Sequence, residues 1–268
     1  MFTADAKILA RVAPLIQRAM IVDPNLAAAR LLADVLKGLG AREVVFEQDE
    51  RRALELAREF DPQIIFTERS GPRLDGEELT RRLRRSNMSC RQAPVIMITA
   101  EATAVTIKGA RDAGVHEFLR KPFTSGDLFK RIAVVTLEPR DWIEAVGYVG
   151  PDRRRFNSGE YTGPHKRKAD KPRSAGEAAA QAADQAMRIL GSALDQFDRD
   201  PMQAARAMRQ QATTLRTLAV QAGDTGLAIA SAQLDQALAR PQLTRTALAG
   251  PVNAVLAFAA TEPVARAS

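Results

Sequence analysis

Residues 63–76 read QIIFTERSGPRLDG, and the fold prediction starts from their pattern. The apolar run Ile64–Phe66 has the length of a short buried strand, and a Gly-Pro turn and an Asp-Gly pair follow it. Between the run and the turn stands Glu68, where a strand gives way to a loop. This glutamate could serve as a catalytic acid, as a phosphate acceptor or as a substitute for another residue. The patterns in the rest of the chain distinguish these three roles.

Similar apolar runs recur along the chain, and each is followed by an amphipathic stretch with a helical period. The runs are Ala19–Val22, Val44–Phe46, Ile64–Phe66, Val95–Ile98 and Glu117–Leu119, and the stretches are 26–39, 50–60, 76–85, 102–113 and 124–135. Short, nearly all-apolar strands that alternate with helices are typical of a parallel sheet covered on both faces. We therefore predict an α/β domain with a doubly wound, five-stranded parallel sheet.

Four polar residues each come directly after a predicted strand. They are Asp23, Glu68, Thr99 and Lys121. In an open parallel sheet, the chemistry takes place in the crevice at the carboxyl ends of the strands. The sequence thus predicts that these four side chains meet at one edge of the sheet.

Composition excludes several classes of function. A chain of 268 residues, 46% of them hydrophobic, can bury one or two cores, and two domains are expected from its length. It has no run of about 18 apolar residues, so we expect no membrane span. The single Cys90 fits a reducing cytoplasm, and with only His116 and His165 in the chain we expect neither a histidine-based metal site nor a catalytic triad. The net charge of +7 permits attraction to nucleic acid, anionic lipid or an acidic protein without choosing among them.

The pattern divides the chain into four segments. We predict an N-terminal helix in 1–17, the α/β domain in 18–136, a basic Gly/Pro-containing connecting segment in 137–173 and an all-α helical bundle in 174–262. The N-terminal helix has an apolar face that offers a surface for a homo-oligomer. Because the chain has no histidine after residue 165, the bundle cannot be a histidine-phosphotransfer domain, and we expect an interaction module.

Residues 18–135 resemble the receiver domain of two-component response regulators, the CheY-like family. The matching pieces are IVDPNLAAARLLADVLKGLGA, PQIIFTERSGPRLDGEEL, PVIMITAEAT and AGVHEFLRKPFTSGDLFKRI. The resemblance implies acids after the first strand that hold Mg²⁺, an aspartate after the third strand that accepts a phosphoryl group, and a Thr and a Lys that contact this group. Thr99 and Lys121 stand at the last two positions, and Phe118 occupies the position of the switch aromatic.

Two departures from the family's pattern bear on function. Glu68 replaces the acceptor aspartate, and Pro24 replaces the second acid after Asp23. We expect a poor Mg²⁺ site, no resident cofactor and no enzymatic activity. Our hypothesis is that a Glu68–Lys121 ion pair holds the domain in one signalling state without phosphate. A site that only stabilises the fold, and a Glu68 that is phosphorylated after all, are the alternatives.

Two groups of arginines are candidates for binding an anion or an acidic partner. Arg81, Arg84 and Arg85 share one face of a predicted helix, and Arg153, Arg154 and Arg155 follow a Gly-Pro turn. Arginine suits bidentate contact with phosphate or carboxylate, so an anionic nucleotide such as cyclic di-GMP is one interpretation. A solvated helix face and a tail that docks on the α/β domain are the others.

Together these features predict a cytoplasmic bacterial signalling protein with a pseudo-receiver that binds protein partners of its pathway. The alternatives are a sensor for an anionic nucleotide and a phospho-regulated response regulator with an altered site. We do not expect sequence-specific nucleic-acid binding, because the bundle shows no helix-turn-helix pattern.

Overall fold

The computed structural model of the chain describes residues 5–153 and 175–259. These residues form two compact units, which we describe separately. The first contains residues 5–143 and 148–153, and the second contains residues 144–147 and 175–259. The predicted connecting segment begins at residue 137, and its described part therefore contributes residues to both units.

Up to residue 151, strands and helices mostly alternate, with two short strands after the third strand and two more after the sixth helix. They are α1 (Ala6–Val12), β1 (Arg18–Val22), α2 (Leu26–Gly38), β2 (Glu43–Glu47), α3 (Glu50–Phe60), β3 (Ile64–Thr67), β4 (Ser70–Gly71), β5 (Leu74–Asp75), α4 (Gly76–Arg85), β6 (Val95–Thr99), α5 (Ala104–Ala113), β7 (Glu117–Arg120), α6 (Ser125–Leu137), β8 (Trp142–Glu144) and β9 (Val149–Pro151).

Five of the strands form the predicted parallel sheet, in the order β2-β1-β3-β6-β7. Successive side chains of each strand point to opposite faces of the sheet, so the strands contribute to two apolar layers, one on each face. Ile64 and Phe66 of β3 belong to the layer covered by α2 and α6. Ile65 belongs to the layer under α3, α4 and α5. The fold class predicted from the sequence is confirmed for this unit.

The N-terminal helix is shorter than predicted. Helix α1 ends at Val12, and Pro14 lies in the 3-10 turn Ala13–Leu15 that follows, because proline cannot donate the next helical hydrogen bond. Val12 and Ile16 are fully buried in the core of their own unit. Much of the apolar face that the sequence offered for self-association is therefore used within the chain.

The described residues of the second unit form four α-helices, followed by a 3-10 turn at Ala257–Ala259. The helices are α7 (Ala175–Asp195), α8 (Pro201–Ala222), α9 (Thr225–Leu238) and α10 (Arg245–Leu256). The predicted start and stop signals work as expected, since Asp200 caps α8 ahead of Pro201 and Gly223 ends it in the left-handed region. The core contains Leu190, Met208, Leu215, Leu234 and Val252.

The bundle also incorporates a piece of chain from well before its first helix. Gln203 donates to the Glu144 carboxylate over 2.9 Å, and Gln211 donates to the Glu144 carbonyl over 3.1 Å. Val146 joins the apolar core of the four helices. Residues 144–147 of the predicted connecting segment therefore pack within the second unit instead of serving only as a connection. Among the described residues, no helix is long and apolar enough to cross a membrane.

Candidate functional site

The four loops at the carboxyl edge of the sheet bring the predicted site residues to one place. Asp23 follows β1, Glu68 follows β3, Thr99 ends β6 and Lys121 follows β7, and these strands are successive neighbours in the sheet. The backbone fixes the loops, since the Glu68 amide donates to the Val22 carbonyl over 2.8 Å. Three of the four side chains, those of Asp23, Glu68 and Lys121, contact one another, and Thr99 lies at the end of a neighbouring strand.

A lysine bridges two carboxylates at this edge. The Lys121 ammonium lies 2.7 Å from a Glu68 oxygen and 3.1 Å from an Asp23 oxygen, which confirms the predicted Glu68–Lys121 pair. The side chains are 29%, 14% and 11% exposed for Lys121, Glu68 and Asp23. Burial by itself lowers the pKa of Lys121, but its hydrogen bonds and charge contacts with Glu68 and Asp23 outweigh this, and the pKa is raised.

The other oxygens of the two carboxylates bind backbone amides. Glu68 Oε1 accepts from the Arg69 amide over 2.8 Å, and Asp23 Oδ1 accepts from the Asn25 amide over 2.8 Å. Each carboxylate therefore has one oxygen on Lys121 and one on its own loop. These contacts fix where the carboxylates point.

Close packing holds the Glu68 loop in place. A side chain at Gly71 would begin 2.2 Å from Pro24 Cγ, so the ring that replaces the family's second acid lies directly against this loop. A side chain at Gly76 would begin 2.2 Å from the Glu68 carbonyl oxygen. The glycines of the Gly-Pro and Asp-Gly pairs thus allow the backbone to approach Pro24 at Gly71 and the Glu68 carbonyl at Gly76.

A second ion pair, which was not predicted from the sequence, crosses the same edge. Arg69 lies 2.7 Å from Glu101 and so joins the loop after β3 to the loop after β6. The Thr99 hydroxyl accepts from the Glu101 amide over 3.3 Å. Opposite charges placed just after two neighbouring strands were the signal that could have predicted this pair.

The comparisons with known proteins cover the first unit. The family model described as the response regulator receiver domain matches residues 19–133. The chemotaxis protein CheY1 of Helicobacter pylori is 29% identical over 117 residues, which are 43% of this chain and 94% of that protein. The chemotaxis protein CheY-3 of Vibrio cholerae is 30% identical over 113 residues, 42% of this chain and 86% of that protein.

This chain belongs to the response regulator receiver family. A solved structure that it resembles is the receiver domain of the sensor histidine kinase PA1611 from Pseudomonas aeruginosa, which has a magnesium ion coordinated in its active-site cleft. The two are 28% identical, with a TM-score of 0.41 and coverage of 45% of this chain and 97% of that one.

The receiver pocket of this chain offers a magnesium ion fewer acidic ligands than the family's pattern implies. Mg²⁺ requires near-octahedral oxygen ligands, usually with one or two carboxylates. Here Pro24 supplies no ligand at the second acid position, which leaves Asp23 and Glu68 as the acids that line the pocket, and each of them contacts the Lys121 ammonium through one oxygen. Among residues 5–153 and 175–259, no cluster of three or more acidic, His or Cys side chains has the arrangement of a metal site.

The residue at the switch position of the receiver points into the core. Phe118 lies in β7, is 3% exposed and belongs to the apolar layer under α4 and α5. The neighbouring Glu117 is buried as well and pairs with Arg131 of α6 over 2.9 Å. Burial raises the pKa of Glu117 against the opposing effect of Arg131.

The prediction that Arg84 takes part in an exposed anion-binding face is wrong. Arg84 is fully buried and donates to the carbonyl oxygens of Gly114, Arg91 and Ala93 over 3.0, 2.6 and 2.9 Å. Its remaining nitrogen lies 3.0 Å from Nδ1 of His116. The end of α4 meets two turns whose carbonyls need donors, and burial lowers the pKa of Arg84 to about 9.

The other candidate arginines have different surroundings. Arg81 pairs with Glu77 and Glu78 of its own helix over 3.0 and 3.3 Å, and Arg85 is exposed. Arg153 pairs with Asp112 over 3.0 Å and stacks on the Tyr148 ring at 4.4 Å, as in the interpretation of a docked tail. Arg154 and Arg155 lie outside the described residues.

Proposed function

We propose that this chain is a bacterial signalling protein whose receiver domain works in one fixed state, without phosphorylation and without catalysis, by binding other proteins. The observation that carries the proposal is the Lys121 ammonium held between Glu68 and Asp23. It is supported by the loss of the acceptor aspartate and of the second acid, while Thr99 and Lys121 are retained.

The charges at the pocket oppose phosphorylation. A phosphoryl group would bring a charge near −2 next to Asp23, and phosphoryl transfer depends on positioning and on neutralising that charge with a metal. Lys121 is the cation in contact with both carboxylates, so the new group would compete for it. Both oxygens of Glu68 are also engaged, one by Lys121 and one by the Arg69 amide.

The ion pairs at this edge also explain why one state would persist. Lys121–Glu68 joins the loop after β7 to the loop after β3, and Arg69–Glu101 joins that loop to the one after β6. Glu68 of the first pair and Arg69 of the second are adjacent in sequence, so the two pairs together restrain three loops. Movement of one loop would require breaking contacts in the others.

The surface that we assign to protein binding is formed by α5, β7 and α6, the face that receivers usually present to their partners. Val105 of α5 is 79% exposed and Val134 of α6 is 36% exposed, and both leave apolar surface at this face. We assign the four-helix unit to protein interaction as well. Met202 and Val220 of α8 and Ile229 of α9 are its exposed large apolar side chains among the described residues.

Acetyl phosphate labelling tests the proposal. The protein is incubated with Mg²⁺ and acetyl phosphate, and the intact mass is measured at neutral pH beside the Glu68→Ala variant. We expect no added phosphoryl mass in either protein. Labelling of the wild type that disappears in Glu68→Ala would overturn the proposal and make phosphorylation the regulator.

A further inference from the structure

A cavity of about 370 Å³ lies beside the lysine-bridged carboxylates. Its wall on α2 includes Leu31, Leu32 and Val35, and Phe123 lines it from the loop that follows β7. Leu31 is 69% exposed. The volume is in the range of about 300–1,000 Å³ that is usual for small-molecule sites, which are mostly apolar with a few placed polar groups.

The polar end of this cavity carries a net negative charge. Asp23, Glu68 and Lys121 all line it, and two carboxylates with one ammonium leave a charge of −1. Each carboxylate oxygen binds one donor in the contacts described above, and a carboxylate oxygen can accept two. The end of the cavity can therefore accept further hydrogen bonds from a donor.

We propose that this cavity binds a small amphipathic ammonium compound, with its charged head on the Asp23 and Glu68 carboxylates and its apolar body against Leu32, Val35 and Phe123. An ammonium head donates up to three hydrogen bonds and balances the excess negative charge. The apolar body covers hydrocarbon surface that otherwise faces water.

Other classes of small molecule fit this cavity less well. An anionic head would meet two carboxylates, and the Lys121 ammonium that could attract it already binds both of them. A neutral apolar compound would fill the α2 side but would leave charged groups desolvated without a partner, which is unfavourable. Charge complementarity thus selects the cation.

This inference does not depend on the proposed function. Whether the pocket binds the cation is independent of whether it is ever phosphorylated. Acetyl phosphate labelling tests the proposed function alone, and the titration described next tests the cavity alone.

The experiment is an NMR titration of the full, isotope-labelled chain with n-octylammonium, octanoate and octan-1-ol, which share a tail and differ in their head. We expect saturable shifts at α2 and at the loop after β7 with n-octylammonium. Octanoate should bind at least about tenfold more weakly, because it exchanges attraction for repulsion at the same carboxylates.

Three variants locate the ligand. Ala28→Phe places a ring in the cavity wall and should abolish binding of all three compounds. Asp23→Asn should weaken n-octylammonium at least about fivefold while octan-1-ol changes little. Asp34→Asn removes an exposed charge of α2 that does not line the cavity, and it should leave every affinity unchanged.

Several results would overturn the inference. Non-saturable shifts, shifts spread over the whole surface, or octanoate binding as tightly as n-octylammonium would each show that the cavity does not select a cation. If Ala28→Phe is misfolded by circular dichroism, the Asp23→Asn comparison alone decides. Equal weakening of octan-1-ol and n-octylammonium by Asp23→Asn would count against the assigned head-group contact.

Discussion

The two edges of the same sheet hold cations in opposite ways. At the carboxyl edge, Lys121 is partly exposed and binds two carboxylates. At the amino edge, Arg84 is fully buried, and its described hydrogen bonds go to three backbone carbonyls and one histidine nitrogen. In this domain, a cation that pairs with carboxylates and a cation that donates to backbone carbonyls therefore have separate roles. The first occupies the family's functional pocket, and the second joins elements of the fold.

The largest effect should come from the amino edge. Arg84→Met keeps the apolar stem but leaves the carbonyls of Gly114, Arg91 and Ala93 without their buried donor. We expect a loss of about 3–5 kcal/mol in the free energy of unfolding, measured by urea denaturation. Arg30→Met, at an exposed position of α2, should change it by less than about 0.5 kcal/mol. Equal effects of the two variants would remove the distinction between the edges.

The histidine at the amino edge should make the fold sensitive to acid. Burial, together with the charges of Arg84 and Arg140, lowers the pKa of His116 well below 6.5, so the unfolded chain binds the proton more tightly. Its contribution is therefore present above about pH 6.5 and is lost as the pH falls toward the folded-state pKa, by about 1.4 kcal/mol per pH unit.

The variant His116→Asn provides the comparison. In the wild type the Val95 amide donates a hydrogen bond to His116 Nδ1, and in the variant it can donate to the asparagine side-chain oxygen instead. Between pH 7 and pH 5, the wild type should lose about 2 kcal/mol more than this variant in the free energy of unfolding. Chemical denaturation across this range measures the difference. Parallel pH profiles of the two proteins would contradict a buried neutral His116.

The carboxyl edge should be sensitive to base instead. The pKa of Lys121 is raised above 10.5, so its contribution is complete below that pH and is lost as the pH rises through the folded-state pKa. Lys121→Met should cost about 1–3 kcal/mol at pH 7 and should flatten the loss above pH 10.5. Lys108→Met, at an exposed position of α5, is the matched control. A wild-type profile that matches the Lys121→Met profile above pH 10.5 would contradict the bridge.

The smallest effect should come from the second ion pair. Glu101→Gln removes the partner of Arg69, and because Glu101 is 55% exposed, we expect only about 0.5 kcal/mol at low salt. The difference should vanish in 1 M salt, where the screening length is about 3 Å. Glu55→Gln, an exposed position of α3, is the control. A large effect that persists in salt would show that Glu101 does more than pair with Arg69.

The sequence predicted the carboxyl edge better than the amino edge, and the reason is physical. Apolar runs of strand length show where strands end, and the ends of parallel strands lie at the same edge of a sheet. Asp23, Glu68 and Lys121 could therefore be placed at that edge from the sequence alone. The role of Arg84 depends on which carbonyls lack donors after α4 packs on neighbouring turns. A helical period shows that residues share a face but not what that face meets.

Other features missed by the sequence analysis also depend on tertiary contacts. The end of α1 was readable in principle from Pro14, but its apolar period continues to Ile16 and concealed the break. The Arg69–Glu101 pair requires knowing that β3 and β6 are neighbours. The incorporation of Val146 into the four-helix core joins residues that lie far apart in the chain.

A fixed receiver state can be tested by adding Mg²⁺ and beryllofluoride, a phosphoryl mimic, to the isotope-labelled protein and following its amide NMR spectrum. The Glu68→Asp/Pro24→Asp double variant, which restores both acids of the family's pattern, is measured beside it. Our account predicts that the wild type does not respond, and that the double variant shifts at the loops around Thr99 and Lys121. A wild type that responds on its own would contradict a receiver fixed by the Lys121 bridge.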